Sequence, residues 1–186
     1  MLTDDYASVL EKTIENIRLG QRQKILASAE IISNVILADG LIYVFGCGHS
    51  HILAEETFYR AGGLACVSPV FYEPLMLHES ASESSRLEKQ SGLAEKLLEK
   101  APITEKDALI CVSTSGVNAV PVEFAKLVKD KGIPVIGISS DEYVSQTPKL
   151  SGCASQEEWT CPSTQAATSP AARRRTQSLS AATSRG

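Results

Sequence analysis

The sequence predicts an α/β fold: a three-layer sandwich built on a doubly wound, mainly parallel sheet, with two helices ahead of it. Three observations carry this prediction. Short apolar runs alternate with longer segments of helical period. The runs are apolar on consecutive residues, as strands covered on both faces must be. Three of them end in Gly/Ser clusters, and in an open α/β sheet such strand ends lie together on one edge, where ligands bind.

Taken in order, Thr3 is placed to cap a first helix, with Asp4 and Asp5 in the first turn against the positive end of its dipole. Tyr6, Leu10, Thr13, Ile14 and Ile17 recur at helical spacing until Gly20 interrupts them. A second helix carries Ile25, Leu26, Ala29, Ile32, Val35 and Ile36 on one face and ends at Asp39-Gly40. Both stripes read as packing surfaces, for the sheet or for a second subunit. Leu41 to Phe45 is a first apolar strand. It runs into Gly46-Cys47-Gly48-His49-Ser50-His51, then a helix through Ala54, Glu55, Glu56, Phe58 and Tyr59 to Gly62-Gly63. Strand, glycine turn, helix is the opening unit of a doubly wound sheet. The glycines let the backbone turn tightly and approach a ligand, and His49 and Ser50 add side-chain donors.

Leu64 to Val67 reads as a second strand ending in Ser68-Pro69. Residues 70–90, with the polar run Ser80 to Ser85, read as a long irregular loop, and such loops are as a rule functional or mobile. A helix from about Glu88 to Lys100 and a turn over Thr104 to Asp107 lead to a third strand ending at Val112. Val122, Ala125, Leu127 and Val128 mark the next helix, stopped by Lys131-Gly132. Ile133 to Ile138 is a fourth strand, closed by Ser139-Ser140-Asp141.

The stretch after the third strand carries the most chemistry. Ser113, Thr114, Ser115 and Gly116 put three hydroxyls and one permissive backbone at a strand end, and Ser115 and Asn118 are both placed to cap the helix that follows. Unpaired N–H groups and the positive helix end converge there, which suits an anion such as phosphate. There is no P-loop lysine, so N–H and O–H donors would meet the charge. Two other readings fail on detail. Gly46-x-Gly48 has His51 where a dinucleotide fingerprint needs a third glycine, and the second strand ends without an acidic residue for a ribose. Gly48-His49-Ser50-His51-Ile52 lacks the second glycine of a hydrolase elbow.

A length of 186 residues suggests one domain, and a net charge of −4 argues against nucleic acid as the main partner; Arg173-Arg174-Arg175 reads as a short solvated charge run in the tail. Five cysteines lack framework spacing, and Cys66 and Cys111, in apolar runs, read as buried free thiols, which fits a reducing, cytoplasmic setting. The N-terminus lacks the pattern of a signal peptide, and no apolar run reaches the ~18 residues of a membrane span. After residue 150 the character changes. Leu179 is the only Leu, Ile, Val or Phe in that stretch, and its cations are all arginine. Residues 1–150 therefore read as the domain, and 151–186 as a disordered tail or an out-of-frame replacement of the natural ending.

Gly46-Cys47-Gly48-His49-Ser50 and Ser113-Thr114-Ser115-Gly116-Val117-Asn118, in this order and at strand ends, resemble the sugar isomerase (SIS) domain family. The run from Leu41 through Ala54-Glu55-Glu56-Thr57-Phe58-Tyr59-Arg60-Ala61-Gly62-Gly63, with Leu75-Met76-Leu77-His78-Glu79 beyond it, is similar to one branch of uncharacterised SIS proteins often labelled phosphoheptose isomerases. The resemblance covers about residues 1–150. It implies a five-stranded sheet of flavodoxin-like order and assembly as a homodimer or larger homo-oligomer. It also implies a sugar phosphate as ligand; no cofactor, nucleic acid or membrane is expected beside it. Ser113, Thr114, Ser115, Gly116 and Asn118 would hold the phosphate, and Gly46, Gly48, His49 and Ser50 the sugar. The family's last strand and helix have no counterpart after about Leu150.

Aldose–ketose isomerisation through an enediol needs a base near C1/C2 and an acid for the oxygens. The candidates are Glu55, Glu56, His78 and Glu79, with His49 and His51 nearby. The Ala-Glu-Glu run resembles the phosphoheptose isomerase pattern, which favours Glu55 without separating it from Glu56. His78-Glu79 is a second pair, able to reach across a dimer. His49-x-His51 with His78 lacks a recognised metal spacing, so no metal is expected. Two alternatives stand beside the isomerase: a phosphosugar-sensing module without catalysis, and an inactive truncated product.

Overall fold

The computed structural model describes residues 2–140. Helices α1 (Leu2–Gly20) and α2 (Arg22–Leu37) lead into β1 (Ile42–Gly46), a 3-10 turn over Gly48–Ser50, and α3 (His51–Thr57). Then follow β2 (Val67–Pro69), a second 3-10 turn (Glu73–Leu75), α4 (Ala81–Leu87), α5 (Ala94–Lys100), β3 (Ala108–Val112), α6 (Ala119–Asp130) and β4 (Val135–Ile138). All strand pairs are parallel, in the order β2-β1-β3-β4. The chain leaves β1 toward β2 on one side and returns to β3 on the other. The order therefore reverses between β1 and β3, the switch point where such sheets bind ligands. The register pairs Ile42 with Ala108 and Gly46 with Val112, so the two strands end side by side.

Alternation along the strands divides the core between two faces. Tyr43 and Phe45 of β1 join Leu109 and Cys111 of β3 beneath α5 and α6, with Leu97, Val120, Phe124 and Val128. Phe45 and Phe124 meet edge to face, their ring centroids 4.9 Å apart. Ile42, Val44 and Ala108 form a smaller cluster on the other face, with Val35 of α2 and Ala54 of α3. At the pole away from the strand ends, the Asp107 carboxylate accepts N–H bonds from Leu41 and Thr104, both 2.7 Å, and the Thr104 hydroxyl. It thereby ties the start of β1 to the start of β3.

Several elements differ from the sequence expectation. Thr3 lies inside the first turn of α1, not at its cap. α3 stops at Thr57, where Phe58 is extended and Tyr59 has φ 48°. The second strand is Val67–Pro69, because pairing with β1 starts at Val67; Pro69 is tolerated on this outer strand. The polar run Ser80–Ser85 is mostly helix: the Ser80 hydroxyl accepts the Glu83 N–H and caps α4. The helix expected from Glu88 begins only at Ala94, after a turn in which Gly92 has φ 87°. Cys111 is fully buried, as expected, and Cys66 only partly. Four strands are described, where the resemblance implied five. Residues 141–150, the tail from 151 and Arg173–Arg175 all lie outside the described residues.

Candidate functional site

Both sequence-predicted turns open onto one cleft of about 460 Å³ at the switch point. Cys47, Gly48, His49 and Ser50 line it from the end of β1, and Val112, Ser113, Thr114, Ser115 and Asn118 from the end of β3. Leu77, Ala81, Ser85 and Glu88 form the third wall. Gly46 is required by close approach: a Cβ there would stand 2.6 Å from the Ser50 carbonyl. Gly48 has φ 56°, a left-handed conformation natural to glycine.

The hydroxyl turn is pre-shaped. Ser113 is buried, and its Oγ accepts the Gly116 N–H at 3.2 Å, leaving the hydroxyl hydrogen as a donor. Thr114 is exposed and Ser115 half-buried at the mouth. Asn118 occupies the N-cap position of α6 but makes no side-chain cap bond. Its side chain instead hydrogen-bonds the Glu88 carboxylate. The Val120 N–H in the first turn of α6 donates to the Glu88 carbonyl at 3.0 Å.

Glu88 is the residue that the sequence reading missed. It follows α4 as the helix C-cap, half-buried, and is the only carboxylate among the described lining residues. Oε2 lies 3.9 Å from where a Gly48 Cβ would stand, so the carboxylate faces the glycine turn while bonded to the hydroxyl turn. Burial raises its pKa; Lys89 and the Asn118 bond partly offset that. Burial also drives the Cys47 thiol well above its ordinary range, with Cys111 and Glu88 adding to the effect, which favours the neutral thiol.

The other candidates lie outside this lining. His51 is buried and its Nδ1–H donates to the Gly48 carbonyl, tying α3 to the glycine turn. Its Nε2 is 3.1 Å from Glu55 Oε1, a favourable contact when the ring carries both protons or a cation lies between. Glu56 turns away and pairs with Arg60. The structure therefore gives different surroundings to the two glutamates that the sequence did not separate. His78 comes beside His51, ring centroids 5.9 Å apart; Glu79 is exposed, 3.8 Å from His78. Ligand atoms of His51, Glu55 and His78 all lie within 4.8 Å of one another, close enough to share a metal ion. His49 points into the cleft lining and is not part of that trio.

A parallel sheet with paired polar turns at its switch point defines a doubly wound α/β domain. Comparison with known proteins makes this specific: the SIS domain model matches residues 5–140, and the chain belongs to that family. Relatives include a UPF0309 protein of a Geobacillus species, 42% identical over 147 residues, covering 79% of this chain and 60% of that protein. The UPF0309 protein of Halalkalibacterium halodurans is 43% identical over 143 residues, covering 77% and 57%. That of Listeria innocua is 42% identical over 142 residues, covering 76% and 58%. The chain thus spans about three-fifths of the length of these relatives. Among solved structures, phosphoheptose isomerase from Neisseria gonorrhoeae shares the fold, with TM-score 0.51 at 19% identity, covering 80% of this chain and 82% of that one. Among the described residues no helix is long and apolar enough to cross a membrane.

Proposed function

We propose that the cleft binds a sugar phosphate and that the chain belongs to an aldose–ketose sugar-phosphate isomerase acting through an enediol. One observation carries the reading: a glycine turn and a hydroxyl turn, contributed by adjacent parallel strands, face each other across a single cleft at the start of α6. Ser113, Thr114 and Ser115 hold the phosphate by O–H and N–H donors, in a turn that Gly116 shapes by donating its N–H to Ser113 Oγ. Gly46 and Gly48 keep the opposite backbone close, so that His49 and Ser50 reach the sugar. Glu55 is the base of this reading, oriented by His51, while Glu56 is engaged by Arg60. A solved structure of the same fold is a phosphoheptose isomerase, in keeping with this substrate class.

Assembly belongs to the proposal too. α1 carries Tyr6 and Ile14 each 66% exposed, and α2 adds Ile25 and Leu26, about half exposed. A second copy is the proposed cover for this face, making the working form a homo-oligomer.

The direct test follows the proton NMR spectrum of hexose and heptose phosphates incubated with the chain in D2O. The proposal expects aldose and ketose to interconvert for one of them, with deuterium entering at the carbon that receives the proton. Binding without interconversion would leave the phosphosugar-sensing alternative standing and remove the isomerase.

A further inference from the structure

We propose that Glu88 is the general acid of the isomerisation, donating its proton to the sugar carbonyl oxygen as the enediol forms. The inference rests on the phosphosugar isomerase reading and adds a residue to it. The geometry is specific. The carboxylate bridges the two turns, facing Gly48 on one side and bonded to Asn118 on the other. Its backbone is fixed at both ends: the Glu88 N–H donates to Ser84 O at 3.0 Å, and its carbonyl accepts from Val120. Ser84 is itself buried and donates to the Leu75 carbonyl at 2.8 Å, which anchors α4. Glu88 is thus held on rigid elements, as a proton donor aimed at a bound substrate needs to be.

Charge points the same way. The described lining residues include no lysine or arginine. A phosphate in the hydroxyl turn would therefore face Glu88 without a neutralising cation between them. A negative charge nearby disfavours ionisation of a carboxyl. Burial favours the neutral carboxyl as well, against the opposing effects of Lys89 and the Asn118 bond, so a bound phosphate and burial act in the same direction on Glu88.

The step balances with Glu55 as base. Glu55 takes the C2 proton of the open-chain aldose, and that electron pair forms the C1–C2 double bond. The C1 carbonyl opens and O1 takes the Glu88 proton. In the second half the Glu88 carboxylate removes the O2 proton, the C2 carbonyl forms, and C1 takes its proton from Glu55. Both glutamates return to their starting states, and no oxidant, metal or cofactor is consumed.

The test compares the full chain with Glu88→Gln, which keeps the size and can keep the Asn118 contact. Turnover is read by NMR and binding by the ligand-induced rise in melting temperature. The expected result is a fall in kcat of at least about 100-fold, with the ligand-induced rise retained and the alkaline limb of the pH–rate profile lost. Isomerisation by Glu88→Gln within threefold of the unchanged chain, or an intact alkaline limb, overturns the role of Glu88 and leaves the isomerase reading in place. An unchanged chain that interconverts no sugar phosphate overturns both.

Discussion

Asp107 and Glu88 lie at opposite poles of the same sheet, and their surroundings move them in opposite directions. For Asp107, burial alone would raise the pKa, but the bonds from Leu41 and Thr104, with Lys106 nearby, outweigh it and hold the carboxyl below its ordinary value. A depressed folded pKa stabilises the fold above the unfolded value, ~3.9 for aspartate. That stability is lost as pH falls through the folded value. Acid melts should therefore drop below about pH 4, and in Asp107→Ala this part of the drop should vanish. The same variant should cost on the order of 3 kcal/mol at neutral pH, since the N–H groups at both strand starts lose their acceptor; urea unfolding measures this. Glu88 has the opposite sign. Its raised folded pKa favours the fold at low pH and loses that contribution as pH rises through it. Glu88→Gln should accordingly gain stability relative to the unchanged chain between acid and neutral pH, and a relative loss over that range would contradict the burial argument. Gly46→Ala tests the turn: a Cβ 2.6 Å from the Ser50 carbonyl forces the turn open. The cooperative melt should survive and the response to sugar phosphate should disappear.

At the scale of elements, what could be read from the sequence depended on whether a segment carries its own signal. β1 and β3 were legible because their residues are buried on both faces, giving continuous apolar runs. β2 was misplaced because three residues on an outer strand leave little pattern to read. α4 shows no apolar stripe, so its helical period is invisible; the one signal was Ser80-x-x-Glu83, a capping sequence the polar run obscured. The two turns were legible because each is contiguous and follows a readable strand. Glu88 was not, because its place depends on α4 docking against the first turn of α6, a contact between segments far apart in sequence. The docking of α4 can be tested through Ser84. It is buried and donates to Leu75 O, so Ser84→Ala leaves that carbonyl without its donor. A loss of about 1–3 kcal/mol in urea unfolding is expected, with turnover falling more than ligand binding because Glu88 shifts with α4.

At the scale of the molecule, the fold places its best-packed face beneath α5 and α6 and leaves α1 exposed along its length. If a second copy covers that face, Leu10→Glu with Ile14→Glu should shift the sedimentation profile to monomer while the sheet still unfolds cooperatively. An unchanged profile would assign the stripe no part in assembly. Sugar-phosphate binding in the cleft at the switch point is read out by a thermal melt of the chain with millimolar hexose and heptose phosphates. At about 100 times its dissociation constant a ligand adds about 2.7 kcal/mol, a rise of several degrees. Such a rise is expected with one sugar phosphate, and its loss when Ser113 and Ser115 are both changed to alanine. A cooperative melt that no sugar phosphate moves would contradict it.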